Sequence, residues 1–199
     1  MLKKKLFRYL ALVLFLVGLG ITGKATFIHA KAAVARYLLR SSWQETIEKG
    51  VRVRPWPWAD TWPVARMIVP EHEIDLVVLE GASGSVLAFG PGHLTLSSLP
   101  GQPGNAIISG HRDTSFRFLK RVGIGDRITM QKKDGTMVSF KVVATQVIDA
   151  AVLDMRIETD VPLLTLVTCY PFDAVVPGGP ERYLVFAEYD EEKIAAVSR

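Results

Sequence analysis

Residues 163–188 read LLTLVTCYPFDAVVPGGPERYLVFAE. Two apolar runs rich in β-branched and aromatic residues flank a stretch crowded with Pro and Gly. Runs of this length and composition predict strands. The residues between them, 170–181, predict a turn-rich loop, because Pro withholds a backbone donor and Gly admits turn geometry. The first run ends in Cys169 and the second begins with Arg182. If the two strands pair antiparallel, the end of one lies beside the start of the other, and Cys169 meets Arg182 on one rim. A cysteine present only for its bulk sits mid-strand among apolar neighbours. This one sits at a strand end.

The same texture extends outward from that hairpin. Strands are predicted at 65–69, 74–78, 106–109, 127–131, 137–148, 163–169 and 182–188, with turn signals at 81–84, 90–92, 100–104, 134–135 and 177–180. Many short strands, Gly/Pro turns and little helical periodicity give a mainly β fold, a single barrel or sandwich. No internal repeat or low-complexity tract interrupts it. One strand, NAIISGHRD (105–113), ends at Gly110-His111, where a side chain can reach a groove. The other histidines are weaker candidates: His29 lies near the apolar N-terminus, His72 in the charged turn EHE, and His93 in a predicted loop after Pro91-Gly92.

Charge divides the chain. Residues 1–50 carry nine Lys/Arg against two Glu, a balance of +7, whereas residues 51–199 carry fifteen Lys/Arg against eighteen Asp/Glu, a balance of −3. The basicity therefore does not belong to the folded part, which argues against a nucleic-acid partner. Lys3, Lys4, Lys5 and Arg8 precede the apolar run YLALVLFLVGLGI (9–21), an order that places the start of the chain in the cytoplasm and the rest outside it. The run is short of the roughly 20 residues a span needs, unless Arg8 and Lys24 extend their charged tips toward the interface. Two readings remain: an uncleaved anchor, or a signal peptide cut near Ala30-Lys31-Ala32. Residues 25–50 predict a helix with Phe27, Ile28, Val34, Tyr37, Leu38 and Ile47 on one face. The three Pro and three Trp of VRVRPWPWADTWP (51–63) mark a boundary. The expected organisation is an anchor over 1–28, a helical and Pro/Trp-rich linker over 29–62, a β-barrel over 63–190 and a tail over 191–199.

In an exported chain a single cysteine cannot close an internal disulfide. It is then a bystander, an intermolecular bridge or a reactive thiol. Cys169, His111 and Arg182 together suit acyl transfer. The thiolate is the nucleophile, and a neighbouring cation favours it. Cys169 would attack a peptide carbonyl to form a thioacyl intermediate. His111 would protonate the leaving amine and later accept a proton from an incoming one. Arg182 would donate to the developing oxyanion or hold the substrate backbone.

TLVTC (165–169), GHRD (110–113) and the Arg thirteen positions after the Cys resemble the signature of the sortase family. So does LAFGPGHLTLSSLPGQPGNAIISGH (87–111), and the likeness covers most of residues 64–189. The form GHRDTSFRFLK, the short C-terminus and the N-terminal anchor look most like the sortases of Gram-negative proteobacteria. The resemblance implies a closed eight-stranded β-barrel with short helices and a catalytic trio of Cys169, His111 and Arg182. It also implies a substrate or oxyanion contact from Thr168, although Thr168 reads equally well as an ordinary strand residue. The implied activity is cleavage of a C-terminal LPxTG-type sorting signal after its Thr. The acyl group then passes to an amine of the cell envelope. Such an enzyme would sit in the inner membrane as a single-pass protein facing the periplasm. No cofactor is expected and no metal: some sortases bind calcium, but the acidic residues here are scattered without ligand spacing. Two rivals are a different envelope cysteine peptidase, such as an L,D-transpeptidase-like enzyme, and a non-catalytic tethered barrel that binds envelope polymers. The first lacks support because the chain has no Ser-His-Gly-Cys run.

Overall fold

The structure, a computed structural model, describes residues 2–190 apart from 153, 154, 156 and 177. The expected tail at 191–199 lies outside the described residues. The chain forms two compact units, residues 1–37 and 38–199. Helix α1 runs over Leu2–Lys49 and contributes to both. In the first unit, Phe7–Lys24 is an exposed 18-residue stretch of mean hydropathy 1.5. At about 1.5 Å per residue it is roughly 27 Å long, close to the hydrocarbon thickness of a bilayer. A membrane span and a signal sequence share that length and composition.

The second unit is a closed barrel of eight strands. They are β1 (Pro63–Val69), β2 (Ile74–Glu80), β3 (Gly92–His93), β4 (Gly104–Ser109), β5 (Arg127–Gln131), β6 (Met137–Asp149), β7 (Pro162–Cys169) and β8 (Glu181–Tyr189). The order around the barrel is β1-β2-β3-β4-β7-β8-β6-β5. The pairs β2/β3 and β4/β7 are parallel and the rest antiparallel. Strict alternation builds the interior: β1 buries Pro63, Ala65, Met67 and Val69 and leaves the residues between them half-exposed. Met67, Ile108, Phe116, Ile128, Phe140, Leu164, Leu166 and Val185 fill the centre. On the outside, Ile107, Val167 and Leu184 form a second cluster with Ile148, Met155, Ile157 and Phe186.

The predicted strands are present, extended by one or two residues at some ends, and two elements differ from expectation. Gly92-His93 is a strand, not a loop. Its two residues are too few for any periodicity, yet they close the barrel between β2 and β4. His93 is accordingly buried. The predicted turn at 81–84 leads into a single helical turn, α2 (Gly84–Leu87), capped by the Ser83 hydroxyl. The 29–62 region also divides: from Leu38 onward it belongs to the compact unit. Leu39 and Trp43 pack on Val77, Leu79 and Val86, and Trp43 Nε1 donates to Gln131 Oε1 at 3.1 Å. Trp56 meets Phe89 edge-on and Arg52 lies over Trp62, whereas Trp58 stays exposed.

Candidate active site

Strand alternation decides which side chains share a face. On β7, Leu164 and Leu166 enter the core, which leaves Val167 and, two residues on, Cys169 on the outer face. On β8, Val185 and Ala187 point inward, so Leu184 and Arg182 point outward. Cys169 and Arg182 are direct cross-strand partners and therefore neighbours on that outer face. On the other side of β7, parallel β4 pairs Ser109 with Val167, and the Gly110 N–H reaches the Val167 carbonyl at 3.1 Å. The register carried two residues further brings His111 level with Cys169. His111, Cys169 and Arg182 thus fall in a row at the ends of three adjacent strands, with His111 two residues past the last paired residue of β4. The rim that the sequence left open for His111 is the rim of Cys169.

Local packing holds that row. A Cβ on Gly110 would lie 2.6 Å from the Phe116 ring, so only Gly lets the strand end pass the core aromatic. Past His111 the chain turns back, with the Phe116 N–H donating to the His111 carbonyl at 3.0 Å. Thr168 is buried, and its hydroxyl donates to the Gly110 carbonyl at 2.8 Å. Adjacent to Cys169 on the strand, it faces the opposite side. Its hydroxyl joins the two strand ends that carry Cys169 and His111. Arg182 donates from Nη1 to the Gly179 and Glu181 carbonyls, at 2.7 and 2.8 Å. These bonds brace the end of the 170–181 loop, with Nε and Nη2 as further donors of the guanidinium.

One residue beside the row has no role in the reading of the sequence. Arg112 follows His111 directly, and its side chain is only 7% exposed. Nε and Nη2 bond the Asp113 carboxylate at 2.9 and 3.1 Å. Nη1 donates to the Pro171 carbonyl at 2.6 Å and Nη2 to the Ala174 carbonyl at 3.0 Å. The bonded Asp113 carboxylate holds Arg112 above the ordinary guanidinium value against the pull of desolvation, with Cys169 and Asp173 adding to it. Arg112 in turn holds Asp113 below the usual carboxylate range, helped by His111 and Arg117. The sequence signal is a charged pair after a Gly-His, which alone reads as a solvated turn.

The outer face leading to Cys169 carries a cavity of about 300 Å³, lined in part by Thr165, Leu184, Phe186, Ile148 and Met155. A more open, polar depression of about 680 Å³ lies near the start of β7, against Ser98, Glu158 and Asp160. By strand length it is roughly 20 Å from Cys169. Among the described residues no cluster of three His, Cys, Asp or Glu is arranged to hold a metal ion.

Comparison with known proteins agrees with this geometry. Residues 67–190, more than half the chain, match the family described as Sortase domain. Sortase D of Bacillus subtilis (strain 168) is 30% identical over 123 residues, which are 60% of this chain and 60% of that protein's own length. Sortase C-1 of Actinomyces oris is 29% identical, with a TM-score of 0.58 over 64% of this chain and 72% of that one. The Clostridium perfringens sortase D5 transpeptidase superposes with a TM-score of 0.65 over 79% of this chain and 99% of its own. At 21% identity that last likeness speaks for the fold alone. With its barrel, its strand-end cysteine and the family match across the barrel, the chain belongs to the sortase family.

Proposed function

We propose that this chain is a membrane-anchored cysteine transpeptidase that cleaves an LPxTG-type sorting signal and passes the acyl group to an amine. The observation that carries the reading is the row itself: a strand-end thiol flanked on one side by an Arg partner and on the other by the His-bearing strand end. The Cys169 sulfur attacks the Thr carbonyl carbon, and the carbonyl electrons move to oxygen, where Arg182 donates. The C–N bond then breaks and His111 protonates the leaving amine. In the second half an acceptor amine attacks the thioester, His111 takes its proton, and the C–S bond breaks to restore the thiolate. The cavity on the same face is the proposed seat of the signal's apolar side chains. Thr168 supports the site by tying the two strand ends together.

The N-terminal apolar helix and the basic residues before it favour an anchor, with the barrel outside the cytoplasm. The proposed site is the inner membrane of a Gram-negative cell, with the catalytic unit facing the periplasm. The run GHRDTSFRFLK supports that finer placement. The proposed division of labour keeps 1–28 as anchor and 63–190 as catalytic barrel.

The test uses the full-length chain in detergent with an LPxTG-type peptide library and a small amine. Mass spectrometry should find an acyl group on Cys169 and an amide product. Absence of both in folded protein across the library removes the transpeptidase reading and leaves a binding barrel. Arg182→Lys should keep the fold and lose about 10²-fold or more in kcat, because a point charge cannot reproduce the guanidinium fork. Near-normal turnover would deny Arg182 its role.

A further inference from the structure

Among the described residues, Arg112 is the one charged side chain buried beside the row that the proposed chemistry does not use. Its placement is costly. A guanidinium withdrawn from water must be fully bonded, and this one makes four hydrogen bonds that divide between two segments. Two go to Asp113, its own neighbour at the end of β4. The other two go to the carbonyls of Pro171 and Ala174, two and five residues past Cys169. Among its described residues, the 170–181 loop is held elsewhere by Phe172 packed on the core and by the Arg182 bonds to Gly179 and Glu181. Lys120 reaches Asp173 at 2.8 Å in the open, and Tyr170 and Phe172 lean on Tyr183. Arg112 therefore joins the segment after the thiol to the segment after the imidazole.

We infer that Arg112 is a positioning residue: its buried fork clasps the loop after Cys169 to the strand end of His111, setting the spacing of thiol and imidazole and keeping a fixed positive charge beside the thiol. The inference rests on the transpeptidase reading for its kinetic consequence, on the four hydrogen bonds for the clasp, and on the nearby charge of Arg112 for its effect on the thiol. Arg112 and Cys169 lie within electrostatic reach of each other. The other charged or titratable groups around the thiol are Arg182 and Tyr183 from β8, Tyr170 and Asp173 from the loop, and His111 and Asp113 from the end of β4.

The two parts of the role separate in two variants of the full-length protein. Arg112→Lys keeps the charge and loses the fork; Arg112→Gln loses both. For Arg112→Lys, kcat with an LPxTG-type peptide should fall about tenfold or more with KM within about threefold, because substrate still binds while the reacting pair is misplaced. Iodoacetamide alkylation of Cys169 at pH 7 should stay near the parent rate. For Arg112→Gln, alkylation at pH 7 should slow about threefold or more, the low end of what losing an opposite charge does to a thiolate. At about pH 10, above the ordinary thiol range, the two rates should converge. Parent-like kcat in both variants overturns the inference. So does an alkylation deficit that persists unchanged at high pH, which would mark a merely structural change. If neither variant folds, Asp113→Asn decides: it loosens two of the four bonds at an exposed partner and should lower kcat at constant unfolding temperature. An unchanged kcat there counts against the clasp. The alkylation arm needs no peptide, so a wild-type chain that turns over no sorting signal sinks the transpeptidase reading and leaves the Arg112–Cys169 coupling measurable.

Discussion

The chain carries the dipeptide Gly-His twice, at Gly92-His93 and Gly110-His111, on two strands that are antiparallel neighbours in the barrel. In both, the glycine is needed because the chain passes too close to something for a Cβ. A Cβ at Gly92 would stand 2.1 Å from the Gly81 carbonyl oxygen, and one at Gly110 would stand 2.6 Å from the Phe116 ring. The histidines then part company. His93 pairs within the sheet opposite Ile108 and is 2% exposed, with Nε2 donating to the Ser98 carbonyl at 2.9 Å and Ser97 Oγ 3.1 Å away. Nδ1 faces Glu80 Oε2 at 3.5 Å. His111 stands beyond the last paired residue of β4 and is exposed. Its ring nitrogens make no hydrogen bond among the described residues. A side chain inside the ladder is consumed by the fold, and one just past it is available for chemistry.

The hardest test of that contrast exchanges the consequences of losing each ring. His111→Ala should lower kcat for transpeptidation by about 10²- to 10⁴-fold, the usual worth of a general acid–base group, with the unfolding temperature unchanged. His93→Ala should do the reverse. It leaves the Ser98 carbonyl without its donor in a buried site, at a cost of about 1–3 kcal/mol, while the folded fraction turns over normally. Steady-state kinetics beside thermal melts read both. A His93→Ala protein that melts normally but has lost turnover would break the comparison.

The two glycines sharpen it. Gly92→Ala drives a methyl into a backbone oxygen, which cannot rotate away, so the barrel should lose about 3 kcal/mol or more. Gly110→Ala meets a side chain, which can yield slightly even in a packed core. A loss of about 1–3 kcal/mol is expected, together with a fall in kcat as the strand end and His111 move. Urea melts and kinetics on both variants check the order. Equal activity per folded molecule in Gly110→Ala and wild type would show that Phe116 does not set the position of His111.

This pair also shows why the sequence is legible in one place and not in another. The β7–β8 hairpin declares itself because seven-residue apolar runs and a Pro/Gly loop are local signals, and antiparallel pairing of Cys169 with Arg182 follows from adjacency along the chain. The β4–β7 contact is parallel and joins residues some sixty positions apart, so no local pattern carries it. It is that contact which brings His111 to the thiol. His93 reads as a loop residue because a two-residue strand has no period. Arg112 is hidden for a different reason: burial of a guanidinium depends on carbonyls at 171 and 174 arriving from another loop. Thr168 can be placed next to the thiol but not assigned a face, which the alternation of Leu164 and Leu166 decides.

A third histidine tests whether the site is insulated from the rest of the barrel. His72 Nε2 lies 2.9 Å from Asp126 Oδ2, which also accepts the Gly123 N–H at 2.9 Å. The Gly123 N–H, and after it His72, hold the Asp126 carboxyl below the usual carboxylate range, with desolvation opposing. As pH falls, the unfolded chain takes up that proton first, near its ordinary value of about 4. The stabilisation is therefore fully present above about pH 4 and disappears as the pH drops through the lower folded value. Asp126→Asn should cost about 1 kcal/mol or less at pH 6–8, and the gap to wild type should close in melts taken toward pH 3. A line of ring contacts runs from His72 through Phe118 to Phe116, the ring against Gly110. Phe116 and Phe118 are buried in the packed core, so a carboxylate lost at the far end should leave kcat within about twofold. A larger fall would mean that the aromatic line transmits displacement to His111, and that the exposed histidine depends on the core as closely as the buried one does.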